Sequence, residues 1–210
     1  MADSRESIAQ RILELRASAI VRTKDQQLAA DAMRAAVRGG FRLVEFTLTT
    51  PGVFELIGDF SHEADLLVGA GTVHSPADVE RAAKAGAKFI VSAIFDPQVI
   101  AAAHACGLPA MPGCATPTEM WSAHRAGADF CKLFPGPADM PTWLRSVLAP
   151  LPMLKIFPTN GVTVQNAKAI LDAGACAVGF TLSLFEPAWM AARDFGAVEA
   201  RARELLAAIP

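Results

Sequence analysis

The chain has 210 residues, a formal net charge of −2 at pH 7 and 52% hydrophobic residues. That length allows one or two domains and is ample for a single large core. The near-balanced charge leaves no broad basic field for nucleic acid and no attraction to an anionic membrane surface, and no apolar run approaches the roughly 18 residues of a membrane span.

The first residues, Met1-Ala2-Asp3-Ser4-Arg5-Glu6, lead into an amphipathic stretch and lack the apolar core of a signal peptide, so a cytoplasmic location is expected. Residues 4–16 carry a helical pattern ahead of the first β-rich run, Ala19-Ile20-Val21. After it, helix-like segments repeatedly end in glycine and give way to a short apolar run. Gly39-Gly40 precedes Leu43-Val44-Glu45-Phe46; Leu66-Leu67-Val68 comes next; Gly86 precedes Phe89-Ile90-Val91, and Gly107 precedes Pro109-Ala110-Met111. Gly127 then precedes Phe130-Cys131-Lys132-Leu133, Leu154-Lys155-Ile156-Phe157 follows, and Gly174 precedes Ala177-Val178-Gly179-Phe180. Each glycine stands where a helix C-cap needs a left-handed residue. Eight βα units with strands apolar on both faces predict a single (β/α)8 TIM barrel spanning 1–210, with an extra N-terminal helix at about 4–16 covering the barrel's bottom. An open doubly wound sheet is the other arrangement, but the first strand ends Val21-Arg22-Thr23-Lys24, without the glycines of a dinucleotide loop.

In a barrel the polar residues at strand C-terminal ends converge. In chain order these ends supply Arg22, Glu45 with Thr47 and Thr49, Thr72, Ser92, Pro112-Gly113-Cys114, Lys132, Thr159-Asn160-Gly161 and Thr181. Lys132 and Glu45 stand out as charges inside apolar strands. Desolvation disfavours the ammonium form, and a neutral amine is the species that attacks a carbonyl. A lysine can equally pack its stem and send its head to solvent, and a buried Glu–Lys pair can be merely structural. Strands two and six lie across a barrel with the same parity, however, so the acid and the amine are expected to share an interior layer at the active face, as catalysts do. Cys106, Cys114, Cys131 and Cys176 show no paired spacing and are expected to be small buried residues. The four histidines show no ligand spacing, so neither a metal nor a cofactor is expected.

Six ordered motifs now bear on identity: Val44-Glu45-Phe46-Thr47-Leu48-Thr49-Thr50-Pro51, Gly69-Ala70-Gly71-Thr72-Val73, Phe89-Ile90-Val91-Ser92, Met111 to Glu119, Lys132-Leu133-Phe134-Pro135 and Pro158-Thr159-Asn160-Gly161-Val162. Together they resemble the 2-keto-3-deoxy-6-phosphogluconate and 4-hydroxy-2-oxoglutarate aldolases, class I enzymes that are trimeric barrels. The resemblance implies Lys132 as the Schiff-base lysine, Glu45 as the acid/base, and Arg22 and Thr72 as holders of the substrate carboxylate, with Pro112 lining the site. It places Thr159, Asn160, Gly161, Phe180 and Thr181 where the family binds phosphate. It further implies a homotrimer acting on a small 2-keto acid, and cleavage of a 2-keto-3-deoxy sugar acid, with 2-dehydro-3-deoxy-6-phosphogluconate leading, to pyruvate and glyceraldehyde 3-phosphate. The phosphogalactonate epimer, an unphosphorylated or shorter 4-hydroxy-2-keto acid, and a non-catalytic keto-acid- or partner-binding barrel are the alternatives.

Three positions depart from the family pattern. Thr49 stands where many members have arginine, Ala93-Ile94-Phe95 makes the mouth beside strand four bulkier, and Gly179-Phe180-Thr181-Leu182-Ser183 with Asn160 replaces glycines at the phosphate end. Backbone N–H groups bind phosphate through close approach, which glycine permits, so weaker phosphate discrimination is expected.

Overall fold

The computed structural model describes residues 4–209; Met1-Ala2-Asp3 and Pro210, parts of the expected 1–210 domain, lie outside them. In chain order the elements are α1 (Arg5–Leu15), β1 (Ala17–Val21), α2 (Gln26–Arg38), β2 (Leu43–Thr47), α3 (Val53–Ser61), β3 (Leu67–Gly71), α4 (Pro76–Lys84), β4 (Phe89–Val91), α5 (Pro97–Ala105) and β5 (Ala110–Met111). They continue with β6 (Gly113–Cys114), α6 (Pro117–Arg125), β7 (Cys131–Leu133), α7 (Met140–Leu148), β8 (Ile156–Pro158), α8 (Ala167–Asp172), β9 (Val178–Phe180), α9 (Pro187–Ala192) and α10 (Phe195–Ala207).

Local chemistry explains the short strand-to-helix turns. Ser75-Pro76, Asp96-Pro97 and Thr116-Pro117 each pair a side chain that accepts from a first-turn N–H with a proline in the helix's first turn, where a missing donor costs nothing. Thr116 adds a reciprocal capping box with Glu119. At the other end, Gly86 (φ 101°) and Gly174 (φ 105°) reverse the chain in a left-handed conformation that a side chain would strain.

All strand pairings are parallel, but the ladder is divided. A six-stranded sheet, ordered β5-β4-β3-β2-β1-β9, curls as a half-barrel, and a separate three-stranded sheet runs β6-β7-β8. The continuous eight-stranded ladder expected from the sequence is thus interrupted. Pro112 is one reason: it has no N–H to donate, and it splits the expected fifth strand into β5, which pairs with β4, and β6, which pairs with β7. Between β8 and β9 the sheets meet through a backbone bond, Cys176 N–H to Ile156 C=O at 2.9 Å.

Alternation along each strand sorts the side chains into two cores. Val44 and Phe46 of β2, and Cys131 and Leu133 of β7, join the larger cluster packed against the helices. A smaller cluster gathers Ile8, Ala9 and Ile12 of α1 with Leu43, Leu67, Phe89, Met111 and Phe157, contributed by both sheets. Glu45 and Lys132 therefore fall on the faces opposite the helices, as their parity predicts. Of the cysteines, Cys114 and Cys131 are buried and Cys176 half-buried, whereas Cys106, at the exposed end of α5, departs from the buried expectation.

α1 tethers this inner cluster through Ile12, which has no exposed surface. Ile12→Ala is expected to lower unfolding stability by about 2–5 kcal/mol, the range for truncating a buried aliphatic side chain. Urea denaturation measures it, and a loss below about 0.5 kcal/mol, as at exposed positions, would show that α1 is not part of the core.

Candidate active site

Glu45 reaches the site from the third position of β2, where its Cα neighbours are Ile20 in β1 and Gly69 in β3. Only 2% of its surface is exposed, and among the described residues its Oε1 is buried without a hydrogen-bond partner. Burial pushes its carboxyl above the usual range, while the positive charges of Lys132 and then Arg22 pull in the opposite direction. Gly71 makes the position possible. A Cβ there would overlap Glu45 Oε1 and crowd the carboxyl carbon, so a β-strand residue with no side chain is what leaves the acid its space.

Lys132 occupies the centre of β7, between Gly113 of β6 and Phe157 of β8, and is 5% exposed. Its N–H donates to Pro112 C=O at 2.9 Å, and its ammonium nitrogen lies 5.5 Å from the centre of the Phe134 ring. Gly113 is constrained in turn, because a Cβ on it would overlap the backbone of Ala93. Lys132 and Glu45 are close enough to interact through charge, yet no ion pair or hydrogen bond joins them among the described residues. A purely structural pair would be expected to close that contact, since burying charges apart is costly.

Arg22 follows β1 and is exposed; its Nη2 donates to Thr72 Oγ1 at 3.3 Å. Thr72 itself takes the left-handed region at φ 61°, unusual for a β-branched residue and of the kind found where surrounding structure enforces a functional geometry. Thr47 and Thr49 hydroxyls lie 3.0 Å apart beside them, and Ser92 Oγ donates to Val73 C=O. The structure thus brings Arg22, Thr72, Glu45 and Lys132 into one constellation, the first two just past the ends of β1 and β3 and the last two at mid-strand.

The loops after β8 and β9 meet, as the sequence predicts, through Ser183 Oγ donating to Val162 C=O at 2.7 Å. Thr159 is buried, Asn160 and Gly161 are exposed, and Gly161 (φ 78°) accepts from Asn166 Nδ2 at 2.9 Å. Phe180, which the resemblance puts at the phosphate end, turns its ring away from that end. It is fully buried on the helix side, edge-on to Phe41 at 6.0 Å, because as the last residue of β9 it has outward parity. Only its backbone faces the loop, so its ring does not obstruct a ligand. Leu182, by contrast, is 68% exposed. No group of three or more His, Cys, Asp and Glu residues lies at metal-binding separation among the described residues. A cleft of about 580 Å³ lined by Ser7, Arg11, Glu14 and Asp65 opens at the opposite, strand N-terminal end, away from this chemistry.

Sequence reasoning assigned no role to Gly71 or to the backbone of Thr72. The available signal was the run Gly69-Ala70-Gly71: glycine inside an apolar strand marks a close approach. Gly71→Ala is expected to keep the fold, which circular dichroism reports, while displacing Glu45 and lowering Glu45-dependent turnover by at least about tenfold. Wild-type turnover would show that the carboxylate needs no such space. A raised Glu45 value also means that folding favours the protonated acid. Its stabilising effect is complete below the ordinary carboxylate range and disappears as pH rises through the raised native value. Stability measured from pH 4 to 8 is therefore expected to fall across that window in the parent and to fall less in Glu45→Gln.

The KDPG and KHG aldolase family matches this chain over residues 8–201. The chain is 34% identical over 168 residues to the 2-dehydro-3-deoxy-6-phosphogalactonate aldolase of Escherichia coli K12, covering 78% of this chain and 80% of that protein. It is 36% identical over 177 residues to the 2-dehydro-3-deoxy-phosphogluconate aldolase of Treponema pallidum, covering 82% and 83%. The solved structure titled "Native KDPGal structure" superposes with a TM-score of 0.82 at 30% identity, covering 93% of this chain and 94% of that one. With a buried lysine and a buried carboxylate on the inner faces of β7 and β2, and with matches over most of its length, the chain belongs to the KDPG and KHG aldolase family of carbon–carbon lyases.

Proposed function

We propose that this chain is a Schiff-base aldolase that reversibly cleaves a 2-keto-3-deoxy sugar acid to pyruvate and an aldehyde, with Lys132 as nucleophile and Glu45 as proton carrier. The observation that carries the reading is the Glu45 carboxylate, buried and unpartnered at Oε1 within the field of Lys132. Lys132 attacks the C2 carbonyl and loses water to form an iminium, which accepts the electron pair released when the C3–C4 bond breaks. Glu45 takes the C4 hydroxyl proton as the aldehyde forms, then returns it to the enamine carbon that becomes the pyruvate methyl. A group alternating between base and acid works best near the pH of operation, and burial moves Glu45 in that direction. Arg22, through its planar fork, and Thr72, through its hydroxyl, hold the carboxylate, and their mutual contact pre-sets the geometry. Pro112 fixes the strand of Lys132 through its carbonyl.

The distal end of the substrate lies against Thr159, Asn160, Gly161, Thr181 and the Phe180 backbone. Relatives named for phosphogluconate and phosphogalactonate substrates favour 2-dehydro-3-deoxy-6-phosphogluconate or its epimer. We also infer that the two sheets close into one (β/α)8 barrel with α1 over its bottom; the inner cluster drawn from both supports this closure. Assembly as a homotrimer in the cytoplasm completes the reading. Trp121 at 41% and Met153 at 46% exposure supply apolar area that further copies would cover, and the four free cysteines suit a reducing compartment.

Borohydride reduction in the presence of pyruvate is expected to add a pyruvyl group to Lys132, and Lys132→Ala should lose both adduct and turnover. An unchanged protein mass at saturating pyruvate would exclude the Schiff base. Glu45→Gln should still form the adduct while exchange of pyruvate methyl protons into deuterated water falls by about 10²–10⁴-fold. Exchange near the parent rate would assign proton transfer to another group.

A further inference from the structure

The left-handed backbone of Thr72, at φ 61°, persists in a β-branched residue only where neighbouring structure enforces it. The enforcement comes from the end of β4. Val73, the next residue, has no exposed surface, and consecutive residues there grip both polar groups of its backbone: its N–H donates to Val91 C=O at 3.1 Å, and its C=O accepts from Ser92 Oγ. Ser92 is itself fixed. It is 2% exposed, its N–H donates to Met111 C=O at 3.1 Å, and the backbone of Ala93 after it packs so closely on Gly113 that a Cβ on that glycine would overlap it.

These contacts form a chain that leads to the site. Ser92 holds Val73, Val73 holds the backbone turn through Thr72, and Thr72 Oγ1 accepts from Arg22 Nη2 at 3.3 Å. We propose, resting on the aldolase reading, that Ser92 is a positioning residue for carboxylate recognition: its hydroxyl keeps Thr72 in the backbone conformation that turns Oγ1 toward Arg22 and the substrate carboxylate. The role needs a short side chain with a hydroxyl. Alanine would deprive the buried Val73 carbonyl of its donor, and such an orphaned carbonyl is costly enough to make the turn rearrange in search of another. Thr72 would then relax out of the left-handed region, and its hydroxyl would leave Arg22.

The test follows exchange of pyruvate methyl protons into deuterated water by the full chain, with methyl pyruvate, the ester that lacks the carboxylate charge, as the comparison substrate. Ser92→Ala is expected to raise KM for pyruvate roughly ten- to a hundredfold, the usual contribution of one hydrogen bond to a charged group, while kcat, and kcat/KM for the ester, fall less than about threefold. Ser92→Cys, close in size but a weaker donor, should lie between alanine and the parent, and it decides the question if the alanine variant does not fold. Thr72→Ala should raise KM for pyruvate to a similar degree, and adding Ser92→Ala to it should raise KM by no more than about twofold further, because both act through one hydroxyl. Equal losses on pyruvate and ester in the Ser92 variants, a pyruvate KM unmoved in them, or full additivity with Thr72→Ala overturns the proposal while exchange continues. Absence of exchange in the parent overturns the aldolase reading itself, and this inference with it.

Discussion

Glu45 is almost wholly removed from water, and one of its carboxylate oxygens has no hydrogen-bond partner. Desolvating a carboxylate is strongly unfavourable unless a partner offsets it or a proton neutralises it, so the surrounding structure must supply a reason for the charge to be there. Gly71 clears the volume, Ile20 and Gly69 flank the strand position, and Lys132 and Arg22 provide a positive field without closing a bond. The outcome is an acid held poised by its environment. A bond to Lys132 would offset part of the burial cost, and none is present among the described residues.

Much of this was legible beforehand. The inward parity of Glu45 and Lys132 follows from alternation alone: Val44 and Phe46, like Cys131 and Leu133, had to pack on the helices. Ser75-Pro76, Asp96-Pro97 and Thr116-Pro117 announced their helices by cap chemistry. Pro112 was visible too, but its effect was not. Whether a proline merely ends a strand or hands it to another sheet depends on which neighbours approach each half, and that is tertiary information. Phe180 failed for a related reason. Its position at a strand end said where its backbone lies, while a single step of parity decided that its ring joins Phe41 on the helix side. Cys106 shows the same limit on the surface: composition favours burial, but the end of α5 happens to be open to solvent.

The mouth of the site is divided by chemistry. On the side of β1 to β3, Arg22 and the Thr72 hydroxyl converge in a polar constellation suited to a carboxylate. On the side of β9 and α9, aliphatic and aromatic groups line the opening, and the loop's Ser183 hydroxyl is directed at Val162. Arg22 lines both sides, so the polar constellation and the apolar opening adjoin at that residue.

The break at Pro112 divides the strand ladder without separating its two parts. Glu45 belongs to the six-stranded sheet and Lys132 to the three-stranded one, and backbone bonds at both junctions, Phe130 N–H to Ala110 C=O at 3.3 Å and Cys176 N–H to Ile156 C=O at 2.9 Å, tie the two together. Their separation is set by side-chain packing across the interior and by the loop contacts that bridge the sheets. Moving one sheet against the other would break those bonds and disturb the inner cluster they share, so the acid-to-amine separation is protected by both.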